Sequence, residues 1–205
     1  MKIVLVRHGQ TDWNKKELFR GRADIPLNQV GIQQATKTAH HLKILDLSIK
    51  KVYSSPLQRA LQTAQAIANQ LDIPPVEVVE DFIEFDYGQW EGQPVDSIKK
   101  KFPVLYEQWL NDPIQLKIPG GENLDKVKDR VKKALDLIMK QSKGQNIVIV
   151  SHKAITKIII GILFGWEEDN YWKIEKDLAS ISIIEINKGK ASAHVLNDIG
   201  HLLRG

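Results

Sequence analysis

Short apolar runs that resemble buried strands alternate with segments of helical periodicity over most of this chain. Three runs, at residues 2–6, 51–54 and 146–150, are rich in β-branched residues and are short enough for single buried strands. Each run ends abruptly in polar residues, namely Arg7-His8, Ser54-Ser55 and Ser151-His152. The alternation predicts an α/β fold with a mostly parallel sheet covered by helices on both faces.

Several helices carry recognisable start signals. Apolar residues at helical spacing begin near Gly31, and a longer amphipathic run follows Asn123, whose side chain can cap the helix. Ser55 and Pro56 predict a further helix, with Ser55 as the N-cap and Pro56 at the first helical position. The acidic and aromatic segment 81–92 has no clean period and is expected to be a loop.

The C-terminal region predicts antiparallel pairing. Strand-like runs at residues 180–186 and 190–196 flank Asn187-Lys188-Gly189, which is typical of a hairpin. We therefore expect a three-layer α/β sandwich, with a mostly parallel central sheet and an antiparallel C-terminal hairpin. No linker or repeat interrupts the 205 residues, so a single domain spanning 1–205 is predicted.

Composition narrows the classes of function. The lysines behind the net charge of +4 are scattered rather than clustered with aromatic residues, which argues against nucleic-acid binding and favours a small anionic partner. The chain has no cysteine, so disulfides and thiolate chemistry are excluded. No apolar run approaches the ~18 residues of a membrane span, and no signal-peptide pattern precedes the first strand. A cytoplasmic location without membrane attachment is expected.

Polar residues at the strand ends form the candidate site. The carboxyl ends of parallel strands lie at one edge of a sheet, so Arg7, His8, Asn14, Arg59 and His152 are expected to meet there. Each has an ordinary alternative: a helix arginine is often solvated, and a histidine after a strand is often a core or loop residue. Two arginines beside two imidazoles would suit a phosphate or a carboxylate.

An anion in this pocket suggests phosphoryl chemistry. A metal site is a minor alternative, because the arginines disfavour a cation. One neutral imidazole can act as nucleophile, since the chain offers no Ser-His-Asp or Cys-His arrangement. The displaced alkoxide needs a proton from a carboxylic acid whose pKa is raised. Periodicity leaves four candidates for this acid: Glu80, Glu84, Asp86 and Glu91.

Four motifs in a fixed order resemble a known family. They lie at residues 5–14, 54–64, 84–92 and 150–152. Together they resemble the histidine phosphatase superfamily, which contains cofactor-dependent phosphoglycerate mutase and many small-molecule phosphatases. The resemblance implies an enzyme that needs neither metal nor cofactor, and a small phosphorylated metabolite as its partner. Homodimer formation is left open by the sequence.

The resemblance implies roles for the central residues. His8 matches the nucleophile that becomes phosphorylated, and Arg7, Arg59 and His152 match the phosphate-binding pocket. Glu84 matches the general acid, which protonates the leaving oxygen and then serves as base for water.

Further positions match substrate contacts of the family. Asn14 matches a residue that contacts the phosphoryl oxygens, and Arg20, Gly21 and Tyr87 fall where substrate is bound. Lys153 departs from the family pattern, since many members have glycine directly after the second histidine. Two placements are open for Lys153: at the pocket mouth as an additional cation, or in solvent, which is the slightly favoured one.

The resemblance favours hydrolysis over mutase activity. Mutases carry an insertion with an arginine pair and a lysine, whereas here Val95 stands at the lysine position and residues 93–118 contain no arginine. Within the phosphatases, the motifs are most similar to α-ribazole phosphatases and related broad-specificity enzymes. The alternatives are a cofactor-dependent phosphoglycerate mutase and a catalytically silent protein that binds a phosphorylated ligand.

Overall fold

A six-stranded sheet forms the centre of the computed structural model, which describes residues 1–111, 113 and 116–203. Its strands in chain order are β1 (Lys2–Arg7), β2 (Ile49–Ser54), β3 (Glu77–Val78), β4 (Asn146–Ser151), β5 (Ile181–Asn187) and β6 (Lys190–Asp198). Across the sheet they lie in the order β3-β2-β4-β1-β5-β6. The first four of these pair in parallel, and β5 pairs antiparallel with β1 and β6. The predicted fold class and terminal hairpin are confirmed.

Helices cover both faces of the sheet. They are α1 (Asp12–Lys15), α2 (Gln29–Ile44), α3 (Gln58–Leu71), α4 (Val95–Lys101), α5 (Pro103–Asn111), α6 (Leu124–Gln141), α7 (Lys153–Phe164), α8 (Glu168–Tyr171) and α9 (Gly200–Leu203). Among the described residues, no helix has both the length and the apolar character needed to cross a membrane.

Two apolar clusters hold the layers together. In β1, Val4 and Val6 pack with α2 and α3 on one face, whereas Ile3 and Leu5 pack with α6 and α7 on the other. This alternation follows from the two-residue period of a strand, and it explains why β1 is apolar on both faces. Helix α7 is apolar almost all round and is buried between the sheet and Tyr171.

The strand register brings the polar motifs together. Arg7 at the end of β1 pairs with Ser151 at the end of β4, and Ser54 at the end of β2 pairs with Val150. All three carboxyl ends therefore lie at one edge of the sheet, as the alternation of strands and helices predicted.

One predicted helix start is wrong. Helix α3 begins at Gln58 with Leu57 in the N-cap position, so Ser55 does not cap it. The Asp24 carboxylate, from a distant loop, accepts a hydrogen bond from the Gln58 backbone N–H at 2.7 Å and satisfies this helix end instead. Asn123 does cap α6, with its side chain accepting from the Lys126 backbone N–H, as predicted.

The segment predicted as a loop contains two short 3₁₀ helices. They cover Glu80–Phe82 and Gly88–Trp90, and both are too short to produce a periodic pattern in the sequence.

Candidate active site

Two histidines meet where β1 and β4 end. The His8 backbone N–H donates to the Ser151 carbonyl at 3.0 Å, which extends the parallel pairing one residue beyond the strands. The ring centres of His8 and His152 lie 5.2 Å apart, with one ring approaching the other by its edge. The sheet therefore places two imidazoles, 144 positions apart in the chain, in contact.

Hydrogen bonding sets the tautomer of His8. Its Nδ1 lies 2.7 Å from the Gly9 carbonyl oxygen, which can only accept, so Nδ1 carries the proton. The Nε2 atom of the neutral ring then keeps its lone pair. Burial, followed by the charges of Arg59 and Arg7, lowers the pKa of His8 well below 6.5. His8 is thus neutral near pH 7, as a nucleophile must be.

Ser55 fixes the ring of His152. The His152 Nε2 atom and the Ser55 hydroxyl are 2.7 Å apart, so the serine that fails to cap α3 is used inside the site. The Nδ1 atom of His152 is buried, and within the described part of the chain it has no hydrogen-bond partner. Burial and Arg59 lower the pKa of His152 well below 6.5.

Two buried arginines make the pocket strongly positive. Arg59 is fully buried and donates to the carbonyls of Gly21 at 2.8 Å and Ala23 at 2.7 Å. Arg7 donates to the carbonyl of Lys176. Burial lowers the pKa of each guanidinium to about 10, so both stay charged at neutral pH. Desolvated guanidiniums of this kind favour a bound phosphate dianion.

Glu84 is a buried carboxyl group, and among carboxylates its charge has the largest effect on the pKa values of Arg7 and Arg59. Burial raises its pKa, although the Phe85 backbone N–H, Arg59, Arg20 and Arg7 act in the opposite direction. The other three candidate acids differ from it. Glu80 is exposed, Asp86 lies 3.6 Å from Arg22, and Glu91 accepts the Arg22 backbone N–H at 2.7 Å. The geometry therefore favours Glu84 among the four candidate acids.

A cavity of about 750 Å³ opens beside Glu84. Every residue that the sequence assigned to outer contacts lines it: Asn14, Arg20, Gly21, Tyr87 and Lys153. Asn14 uses its amide oxygen to accept from Thr11, which leaves its NH₂ group for other partners. Burial and Glu84 raise the pKa of Tyr87 well above 10, so its hydroxyl remains a proton donor.

Lys153 lies at the cavity mouth. Its Nζ atom is 3.4 Å from the Glu175 carboxylate, and its side chain is 44% exposed. The side chain therefore both lines the cavity and reaches solvent, and a carboxylate lies beside its ammonium group.

Residues 3–199 match the histidine phosphatase superfamily (branch 1). The chain belongs to this family. Phosphoserine phosphatase 1 of Hydrogenobacter thermophilus is 32% identical over 204 residues, covering 98% of this chain and 94% of that protein. The expected class of enzyme, a hydrolase of the histidine phosphatase type, is confirmed.

Solved structures of family members share the fold. The α-ribazole phosphatase from Shigella flexneri superposes with a TM-score of 0.85 at 30% identity, over 97% of this chain and 96% of that one. The phosphoserine phosphatase of Entamoeba histolytica, in complex with 3-phosphoglyceric acid, gives a TM-score of 0.85 at 31% identity, over 98% of both chains.

Three residues of this family member were not predicted from sequence but contact the site. Arg130 donates to the carbonyls of Asp81, Ile83 and Glu84, and so braces the loop that carries Glu84. Lys176 is buried behind Arg7, with its ammonium group on Ser182. Lys157 lines the cavity. The sequence did contain a signal for Lys157, because it is the one charged residue within the largely apolar segment 154–164. The sequence contains no comparable signal for Arg130 or Lys176.

Proposed function

We propose that this phosphatase hydrolyses small phosphomonoesters through a phosphohistidine intermediate on His8. The observation that carries the proposal is the neutral His8 ring, with Nδ1–H held by the Gly9 carbonyl and Nε2 left with its lone pair beside Arg7 and Arg59. A neutral nitrogen nucleophile next to two buried cations is what transfer of a phosphoryl dianion requires.

The first step would transfer the phosphoryl group to the enzyme. The Nε2 atom of His8 attacks phosphorus, so a P–N bond forms while the bond from phosphorus to the leaving oxygen breaks. Arg7, Arg59 and His152 hold the three phosphoryl oxygens, and Asn14 adds an amide donor. The Glu84 carboxylic acid gives its proton to the departing alkoxide, and the burial that raises its pKa favours this protonated form.

The second step would return the enzyme to its starting state. The Glu84 carboxylate takes a proton from water, whose oxygen attacks phosphorus. The P–N bond breaks, inorganic phosphate leaves, and both His8 and Glu84 regain their initial protonation states. The two steps consume one water and yield one alcohol and one phosphate.

The proposed substrate is a small phosphorylated metabolite, such as α-ribazole 5'-phosphate, phosphoserine or a broad set of phosphomonoesters. Relatives that carry the names α-ribazole phosphatase and phosphoserine phosphatase support this range. Mutase activity is less well supported. Val95 lines the cavity where mutases have a lysine, and residues 93–118 contain no arginine to hold a second phosphate.

Phosphate release in the presence of EDTA tests the proposal. We expect wild-type protein to release phosphate from p-nitrophenyl phosphate with the chelator present, and to form a phosphoenzyme that is labile in acid and stable in base. His8→Ala should abolish both, whereas His40→Ala, at an exposed position on α2, should leave both unchanged. Residual phosphoenzyme in His8→Ala, or inactivation by EDTA, would contradict the mechanism.

A further inference from the structure

The cavity beside Glu84 is larger than a phosphate needs. Its volume of about 750 Å³ lies within the range of ~300–1,000 Å³ typical of sites for whole small molecules. Aromatic rings form much of its wall, including Tyr106, Trp109 and Trp172. Three lysines, Lys153, Lys157 and Lys173, also line it. The part of the substrate that remains after phosphate removal would therefore meet both apolar rings and cations.

Lys157 is the lysine that is out of solvent. It lies one turn after Lys153 on α7 and is only 7% exposed, whereas Lys173 is exposed. Its ammonium group donates to the Trp172 carbonyl and lies 5.3 Å from the centre of the Trp172 ring. An ammonium group has three N–H donors, so this bond leaves two for other partners.

Charged groups of the phosphoryl site and of the cavity mouth both affect the pKa of Lys157. The pKa of Lys157 is lowered to about 8; burial is the largest cause, Lys153 and Arg7 also lower it, and Glu175 and Glu84 raise it. Arg7 and Glu84 belong to the phosphoryl site, and Lys153 and Glu175 to the mouth. Lys157 lines the same cavity as Glu84 and Lys153, so the part of a substrate outside the phosphoryl site would meet it there, and it is mainly protonated at pH 7.

The neighbouring lysine, Lys153, already pairs with a carboxylate of the protein. The Glu175 carboxylate is 3.4 Å from the Lys153 ammonium group at the mouth, and its side chain is 73% exposed. The same wall thus binds a carboxylate supplied by the protein itself. Because Glu175 is solvated while Lys157 is not, a carboxylate that enters with a ligand would interact with Lys157 at lower effective dielectric.

We propose that Lys157, assisted by Lys153, binds a carboxylate on the alcohol part of the substrate, so that the preferred substrates are phosphomonoesters of small hydroxy acids. The inference rests on the proposed function and adds the substrate class. The ordinary alternative is that Lys157 only ties α7 to Trp172. A tie of that kind would affect every phosphomonoester alike, whereas a carboxylate site acts on some and not on others.

Matched substrates separate the two roles. 3-Phosphoglycerate and glycerol 3-phosphate differ only by a carboxylate in place of a hydroxymethyl group, and phosphoserine and phosphoethanolamine differ only by the presence of a carboxylate. We expect wild-type protein to prefer the carboxylated member of each pair in kcat/KM. Lys157→Met should reduce that preference by about tenfold or more, mainly through KM, as loss of a charged hydrogen bond implies. Lys157→Arg should restore part of it.

Two further variants complete the test. Lys133→Met, at an exposed position on α6 outside the cavity, should leave the preference unchanged. Glu175→Gln should increase it by about two- to fivefold, because a competing carboxylate is removed from the mouth. If Lys157→Met does not fold, the Glu175→Gln result decides. Equal losses on both members of a pair in Lys157→Met, or an unchanged preference in Glu175→Gln, would overturn the proposal.

A binding measurement keeps this inference separate from the proposed function. If wild-type protein released no phosphate from any of the four esters, the hydrolytic mechanism would fail. Calorimetric titration with 3-phosphoglycerate and with glycerol 3-phosphate would then test the carboxylate site directly. Tighter binding of 3-phosphoglycerate that disappears in Lys157→Met supports the site, and equal affinity of the two ligands overturns it.

Discussion

Replacing Arg59 with methionine should separate the stability of the free protein from its ability to bind phosphate. Arg59 is fully buried, and its pKa falls from 12.5 to about 10. At ~1.4 kcal/mol per pKa unit, that difference means that the buried charge destabilises the folded state by roughly 3 kcal/mol. Since a pKa of about 10 lies well above neutrality, the guanidinium stays protonated and this unfavourable contribution is fully present at pH 7.

Methionine removes both the charge and the contacts that hold it. The carbonyls of Gly21 and Ala23 lose their donors, at about 1–1.5 kcal/mol each, while methionine keeps most of the apolar stem. The two effects nearly cancel. We therefore expect the free energy of unfolding of Arg59→Met to lie within about 1 kcal/mol of wild type, whereas removal of one member of a buried ion pair normally costs ~3–5 kcal/mol.

Urea unfolding with and without inorganic phosphate measures both effects. Phosphate at a hundred times its Kd should stabilise wild-type protein by about 2.7 kcal/mol and Arg59→Met far less. Arg130→Met provides the contrast and should lose stability. It removes one of the two arginines that pair with the Glu122 carboxylate, together with the donors to the carbonyls of the Glu84 loop. A loss above ~3 kcal/mol in phosphate-free Arg59→Met would refute the reasoning, since Arg59 would then be a structural residue.

Two further substitutions test the acid and the loop geometry. In Glu84→Gln, kcat/KM should fall and lose its dependence on the Glu84 proton. Because the folded-state pKa of Glu84 is raised above 4.5, ionisation of the wild-type carboxyl destabilises the fold as pH rises above that value. Urea unfolding between pH 4 and pH 8 should therefore show the variant gaining stability relative to wild type as pH rises. An unchanged difference would mean that Glu84 is not protonated more readily in the folded state. In Gly31→Ala, the new Cβ would lie 2.0 Å from the Gln10 carbonyl oxygen, so we expect a loss of about 1–3 kcal/mol in urea unfolding and a lower kcat/KM, instead of the usual gain for Gly→Ala in a helix. A more stable and fully active variant would show that the loop after His8 can shift freely.

The strands and their ends could be predicted from local sequence. Residues 3–6 and 147–150 are apolar throughout because both faces of their strands are buried, and a run of that kind has few alternatives in a chain of this composition. The parallel arrangement followed from the alternation with helices. Because parallel strands end at the same edge of a sheet, the convergence of Arg7, His8 and His152 at that edge could be predicted as well.

The role of Ser55 could not be predicted in this way. The dipeptide Ser55-Pro56 has the local signature of a helix start, and by propensity alone Ser55 would be the cap. The Asp24 carboxylate caps α3 from a loop 34 positions away, and the Ser55 hydroxyl lies instead against His152. Local preference was overridden because both partners come from distant parts of the chain.

The choice among the four acids also needed the tertiary structure. By periodicity Glu80, Glu84, Asp86 and Glu91 were equivalent, and only the family motif distinguished Glu84. In the fold, Arg130 of α6 braces the loop through three carbonyls, which holds Glu84 in the buried position beside Arg7 and Arg59.

By itself, the sequence determined the α/β class, the parallel core, and the two histidines and two arginines that meet at its edge. These depend on which residues are apolar and on their period, and both are local properties of the chain. The tertiary structure decided the tautomer of His8, the partner of His152, the burial of Glu84 and the burial of Lys157 in the cavity wall. Those depend on distances between segments far apart in sequence, which only register and packing establish.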